Sequence, residues 1–170
     1  ERSLFAELGN DLAFALHKID MISKIDEDNR RYREIFEGSR DGFVTVDADG
    51  RIINANQAFC DMLGYSLEEL CNKADFYAVT PEKWRQWEQK EIWEKRLLKQ
   101  GYSGLYEKEY IRKDGSVFPV ELSSFTVRDK DGKILYLWGV ARDIGERKQA
   151  EAALRKSEEK HRRLFETMAQ

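Results

Sequence analysis

An α+β fold is predicted: a five-stranded antiparallel sheet with helices over one face, held between two long terminal helices. Three observations predict it. Asp49-Gly50, Asp114-Gly115 and Asp131-Gly132 each separate short β-rich runs, as tight turns do. Two such runs precede and three follow a stretch of helix punctuation, an order that stacks helices on one side of a sheet. Both ends of the chain carry apolar residues at alternating steps of four and three, the spacing of helices that pack on a partner helix.

The N-terminal seam runs through Leu8, Leu12, Ala15, Ile19 and Ile22. Beyond Ile22 it meets Asp26 and Asn29, so it must shift to Ile25, Tyr32 and Ile35, and a break or stutter is expected near Asp26. The alternative is a solvated helix folded against its own domain. The C-terminal seam is Ala150, Leu154, Ser157, His161, Leu164 and Met168. Ser157 and His161 are polar core occupants, which weaken a coiled coil while fixing its register; His161 reads as a seam residue rather than a ligand. The dimerisation residues expected are Leu8, Leu12, Ala15, Ile19, Ile22, Leu154 and Leu164.

Between the seams, Phe43-Val-Thr-Val-Asp47 and Arg51-Ile-Ile-Asn54 flank the first turn, Tyr106 to Arg112 and Val117 to Val127 the second, and Ile134 to Ile144 follows the third. In the middle, Asn56 can cap a short helix that stops at Gly64, and Ser66-Leu-Glu-Glu69 forms a capping box for another. Thr80-Pro81 starts a third helix, with Thr80 as its cap, running to Leu98 before Gly101. In α-helical projection Trp84, Trp87 and Leu98 share one face, with Trp93 and Leu97 toward another. The domains expected are a helix over 1–35, a globular unit over 36–146 and a linker helix over 147–170.

Composition bounds the function. With 29 basic against 32 acidic residues and a net charge of -3, the field that draws a protein onto DNA or anionic lipid is missing, so neither nucleic acid nor membrane is an expected partner. No apolar run approaches the roughly 20 residues of a membrane span, and a cytoplasmic location is expected. The chain begins at Glu1 rather than Met, which suggests a piece of a longer protein. Cys60 and Cys71 form no CxxC pair, so neither zinc site nor disulfide framework is implied.

Residues 36–148 carry a chain of local matches. Asp41-Gly42-Phe-Val-Thr-Val-Asp-Ala-Asp-Gly-Arg-Ile-Ile-Asn-Ala-Asn56 resembles the opening strand pair of the PAS family, of the sensory-box type, and Ala58-Phe59 with Leu63-Gly64-Tyr65-Ser66 resembles the helix that follows it. Tyr106-Glu-Lys-Glu-Tyr-Ile-Arg-Lys-Asp-Gly115 resembles its third strand and hairpin, and Gly139-Val-Ala-Arg-Asp-Ile-Gly-Glu-Arg-Lys148 its last strand and exit motif. The resemblance implies a PAS fold in a multi-domain bacterial or archaeal signalling protein, with signal leaving through Asp143, Ile144 and Gly145. The family usually reads Asp-Ile-Thr there; Gly145 in place of a cap-forming Thr implies a more flexible junction. Tyr32-Arg-Glu-Ile-Phe-Glu37 is echoed by His161-Arg-Arg-Leu-Phe-Glu166, an offset of 161 minus 32, or 129, about one PAS unit with its linker. A following PAS domain and a preceding GAF or PAS domain are therefore expected.

Cofactor chemistry in that family needs particular residues. Flavin photochemistry uses a Gly-x-Asn-Cys-Arg-Phe-Leu-Gln stretch, whereas Asp75-Phe-Tyr-Ala-Val-Thr80 stands here; haem relatives use a histidine of the long middle helix, and 82–100 contains none. Flavin and histidine-ligated haem are thus not expected, and Cys60 and Cys71 read as small apolar residues. His17 and His161 lie in the terminal helices, leaving no histidine for acid-base work and no active site in view. Glu107, Glu109 and Glu121 read as salt-bridge partners for Lys108, Arg112 and Lys113. An apolar chamber lined by Val46, Ile53, Phe59, Leu63, Phe76, Trp84, Trp87, Leu122 and Trp138 suits a small apolar or aromatic ligand, or these side chains simply fill the core. No convergent set of buried polar anchors can be read from the sequence.

The function expected is a sensory and dimerisation module of a histidine kinase or diguanylate cyclase type protein, with no catalysis of its own, acting as a homodimer between sensor and output domains. A ligandless homodimerisation spacer is the alternative.

Overall fold

A computed structural model describes residues 2–73 and 77–168, with side chains described for 18, 21–72 and 77–163. It divides into two compact units, Glu1–Ser39 and Arg40–Gln170. The first is one helix, α1 (Arg2–Gly38), which passes Asp26 without interruption, so the shift of the apolar seam there does not break the backbone. Within it Tyr32 stacks on Phe36 at 5.4 Å, while Ile22, Ile25 and Ile35 are exposed. The side chains of Leu8, Leu12, Ala15 and Ile19 lie outside the described residues, as does that of Leu164.

The second unit contains strands β1 (Gly42–Asp47), β2 (Ile52–Ala55), β3 (Tyr106–Ile111), β4 (Val117–Arg128) and β5 (Ile134–Asp143), all antiparallel in the order β2-β1-β5-β4-β3. Alternation sends Val44, Val46, Val120, Leu122, Leu137 and Ala141 into the core. The turns are as the Asp-Gly pairs predict. In the first, Asp47 Oδ1 accepts from the N–H groups of Asp49 and Arg51; in the third, Asp129 Oδ1 accepts from those of Asp131 and Lys133. Gly50 and Gly132 close these turns at φ of 86° and 82°, where a Cβ would be strained.

Helices α2 (Gln57–Leu63) and α3 (Leu67–Lys73) begin as the capping residues predict. Asn56 is fully buried; its Oδ1 accepts from Phe59 N at 3.0 Å and from Phe43 N at 2.8 Å, and its Nδ2 donates to Asp41 O, so one side chain both caps α2 and ties it to β1. Ser66 and Glu69 exchange the two bonds of a capping box.

The third helix departs from expectation. It starts as α4 (Glu82–Trp87), continues as a π-helical segment (Glu88–Leu97) and ends as α5 (Leu98–Gln100). Pro81, not Thr80, occupies the cap position, and no side chain caps the helix. The wider i→i+5 winding, seen where Leu98 N donates to Trp93 O, brings Glu88, Ile92 and Leu97 onto one buried face. At the α-helical 3.6 residues per turn, positions nine apart such as Glu88 and Leu97 would face opposite ways. That phase change buries Leu97 and leaves Leu98 exposed.

A helix packed this tightly on a strand constrains the strand. A Cβ on Gly42 would lie 2.9–3.1 Å from Phe59, including its Cα, whereas one on Gly38 meets nothing within 4 Å. Gly42→Ala is expected to destabilise the domain by about 1–3 kcal/mol in urea denaturation, with Gly38→Ala near neutral as the control.

Candidate functional site

A cavity of about 220 Å3 lies between the sheet and the π-helical segment. Val44 and Val46 of β1, Ile92 and Leu97 of the π segment, Leu122 of β4 and Leu137 of β5 supply apolar wall; Glu88, Tyr106, Tyr110 and Ser124 supply polar wall; Asp49, Gly50, Tyr77 and Gln89 are also among the lining residues. Its size is below the roughly 300–1,000 Å3 of drug-sized pockets.

Behind the polar wall is a buried ion pair. The Lys108 ammonium, with its side chain 0% exposed, donates to Glu88 Oε1 at 2.8 Å, to Glu88 Oε2 at 2.6 Å and to Thr80 Oγ1 at 3.0 Å. Tyr106 donates its phenolic proton to Glu88 Oε1 at 2.8 Å. The Lys108 ammonium further lies 4.8 Å from the centre of the Tyr110 ring. Burial disfavours the ammonium more than Glu88 favours it, and holds the Lys108 pKa down at about 8, against an ordinary 10.5. Burial, then the Glu88 charge, raises both tyrosines well above 10.0.

The expected site residues divide. Val46, Leu122 and Trp138 border the cavity, although the Trp138 indole stacks on Phe125 at 4.5 Å and Phe43 at 6.5 Å, on the opposite sheet face from Leu137. Phe59 and Leu63 are fully buried but belong to the core beyond it, where Phe59 meets Tyr110 edge-on. Ile53 is half exposed: a register shift between Thr45 and Val46 pairs Val46 with Ile52, which points inward instead. Trp84 and Trp87 lie off the cavity because the π winding begins after them; Trp84 donates to Glu109 and Trp87 packs on Tyr106. Phe76 lies outside the described residues.

The ion pairs also differ from expectation. Lys108 pairs with Glu88, not with the neighbouring strand carboxylates. Glu107 meets Arg147 and Lys148, Glu109 meets Lys83, Glu121 meets Arg147, Arg112 meets Asp143 and Lys113 meets Glu69. A signal for Lys108 was present: in Tyr106-Glu-Lys-Glu-Tyr110 it shares strand parity with two tyrosines. None existed for Glu88, whose burial needs the π winding.

At the exit, α6 (Gly145–Met168) begins where Asp143 Oδ1 accepts from Gly145 N at 2.8 Å, so Asp143 supplies the terminal contact and residue 145 does not have to. Ile144 is buried and donates its N–H to Pro119 O. Arg112 holds Asp143 Oδ2 at 2.7 Å, bonds Met62 O at the end of α2 and covers the Phe118 ring.

A small cavity roofed by helices, beside a strand that leads straight into a long exit helix, is the architecture of a sensory module. The model of the PAS fold matches residues 30–144, and the chain belongs to the PAS family. It is 32% identical over 142 residues to a methyl sulfide methyltransferase-associated sensor of Methanosarcina acetivorans, 33% over 129 to the probable diguanylate cyclase DgcE of Escherichia coli, and 30% over 164 to the sensor histidine kinase TmoS of Ectopseudomonas mendocina. These alignments cover 83%, 75% and 90% of this chain but 14%, 11% and 16% of those proteins, so the chain spans a small part of each relative's length. The solved PAS domain from Colwellia psychrerythraea superposes with a TM-score of 0.64 at 21% identity, over 69% of this chain and 97% of that one, and so shares the fold.

Because the folded Lys108 pKa of about 8 lies below its ordinary 10.5, the unfolded chain binds more protons between those values, and stability rises with pH across that window. The raised tyrosines act oppositely above pH 10, where the unfolded chain loses phenolic protons first. The urea midpoint is therefore expected to climb between about pH 8 and 10, by on the order of 2 kcal/mol, then fall. In Lys108→Met the climb disappears.

Proposed function

We propose that this domain is a non-catalytic sensory relay, in which a small molecule in the cavity alters the sheet and, through it, the exit helix, within a cytoplasmic homodimer that passes the change to a kinase or cyclase output. One observation carries the reading: on β4, Leu122 lines the cavity while the adjacent Glu121, facing the other way, pairs with Arg147 in the first turn of α6. A ligand that displaces β4 therefore moves a contact of the output helix. Glu107 of β3 adds pairs to Arg147 and Lys148, and Arg112 joins α2 to Asp143. Two packings that differ by a few kcal/mol are enough for such a switch.

No cofactor is assigned. Among the described residues, the cavity lining contains neither histidine nor cysteine; Cys60 is buried in α2 and Cys71 is exposed on α3. No helix among the described residues is long and apolar enough to cross a membrane. The second reading, a ligandless homodimerisation spacer, draws support from exposed apolar residues on the terminal helices, Ile22 at 51% and Leu154 at 62%. Native mass spectrometry separates the two: a dimer above polypeptide mass supports the relay, and a dimer at bare mass supports the spacer.

Leu154→Glu is expected to weaken the dimer at least about tenfold in sedimentation, leaving domain stability unchanged. Asp143→Ala is expected to leave dimerisation intact while uncoupling output in a longer chain that carries one. An unchanged output response to stimulus would count against the relay.

A further inference from the structure

The polar wall of the cavity specifies what chemistry it accepts. Glu88 Oε1 accepts from both Lys108 and Tyr106, whereas among the described residues Oε2 accepts from Lys108 alone. A carboxylate offers about four lone-pair directions, so Oε2 retains capacity for a further donor, and Glu88 is part of the cavity lining. Its side chain is 4% exposed, so a bond made there is made away from water. The Lys108 ammonium already donates to both Glu88 oxygens and to Thr80 Oγ1, three acceptors for its three protons, so it is poorly placed to serve an anion. A cation gains little from a carboxylate that Lys108 already neutralises. For size, an apolar cavity of about 150 Å3 admits benzene; 220 Å3 holds a ring with a small substituent.

We propose that the cavity selects a small uncharged molecule, built on a single ring, whose hydroxyl or N–H donates to Oε2 of Glu88, and that Glu88 excludes carboxylates. This rests on the reading of the cavity as a ligand site.

The test is calorimetric titration of the full chain with phenol, anisole and benzoate, which present a donor, the same oxygen without its proton, and an anion. Phenol is expected to bind at least about tenfold more tightly than anisole, as a hydrogen bond to a buried charged group warrants, with no heat from benzoate at the same concentrations. In the double variant Glu88→Leu with Lys108→Met, which removes both buried charges together so that neither is stranded, the preference for phenol is expected to shrink to within about twofold. Equal binding of phenol and anisole to the unmodified chain overturns the selection by Glu88 while leaving a ligand cavity. Tightest binding of benzoate overturns it as well. Failure of all three to bind overturns the ligand reading and the proposal together.

Discussion

The ammonium of Lys108 leaves water completely, and the interior of the domain is arranged around the need to match it. Both Glu88 oxygens and the Thr80 hydroxyl surround the ammonium, joining β3, the π-helical segment and the loop before α4 at one point. Removing either charge alone strands the other in a low-dielectric site, which costs about 3–5 kcal/mol. Against apolar residues of the same shape, the intact pair is close to neutral in stability. Its contribution is positional. It fixes which face of the segment meets β3, and it orients Tyr106 toward Glu88.

The π winding follows from the same requirement. Glu88, Ile92 and Leu97 are all buried, the first to meet Lys108 and the others to join the core cluster that the strands supply. Regular α-helical geometry cannot align positions nine apart. The i→i+5 segment can, and its wider turn stands where helix and sheet enclose the cavity. Such winding recurs at functional sites because it exchanges regular hydrogen bonding for a particular side-chain row.

Cavity and exit are mechanically close because strands are two-faced. Alternation places each cavity-lining residue of β4 beside one that points to the other surface, where Glu121 and Glu107 hold the first turn of α6. Arg112 reaches three elements at once: the end of α2, the Phe118 ring and Asp143. The pairs at the surface are screened and individually weak, on the order of 1 kcal/mol or less. A junction of several weak contacts can exchange one packing for another without unfolding the sheet.

Local chemistry by itself determined most of the fold. The Asp-Gly turns, the Asn56 cap, the Ser66 capping box and the strand alternation each act within a few residues, so the order of elements and the limits of the strands and of α2 and α3 could be read in advance, whereas the cap and winding of the third helix could not. The site was less legible. Val46 and Leu122 follow from strand parity, and Lys108 could have been placed inside by the same rule. Glu88 could not, nor could the loss of Trp84 and Trp87 from the cavity or the replacement of Ile53 by Ile52. These depend on the phase of a helix and the register of a strand pair, which are set only when distant segments meet. Pairing a buried charge is a contact between residues twenty apart in the chain, from Glu88 to Lys108, and no local pattern encodes it. Tertiary structure decided the polar character of the cavity because desolvation penalises an unmatched charge only after the core has closed.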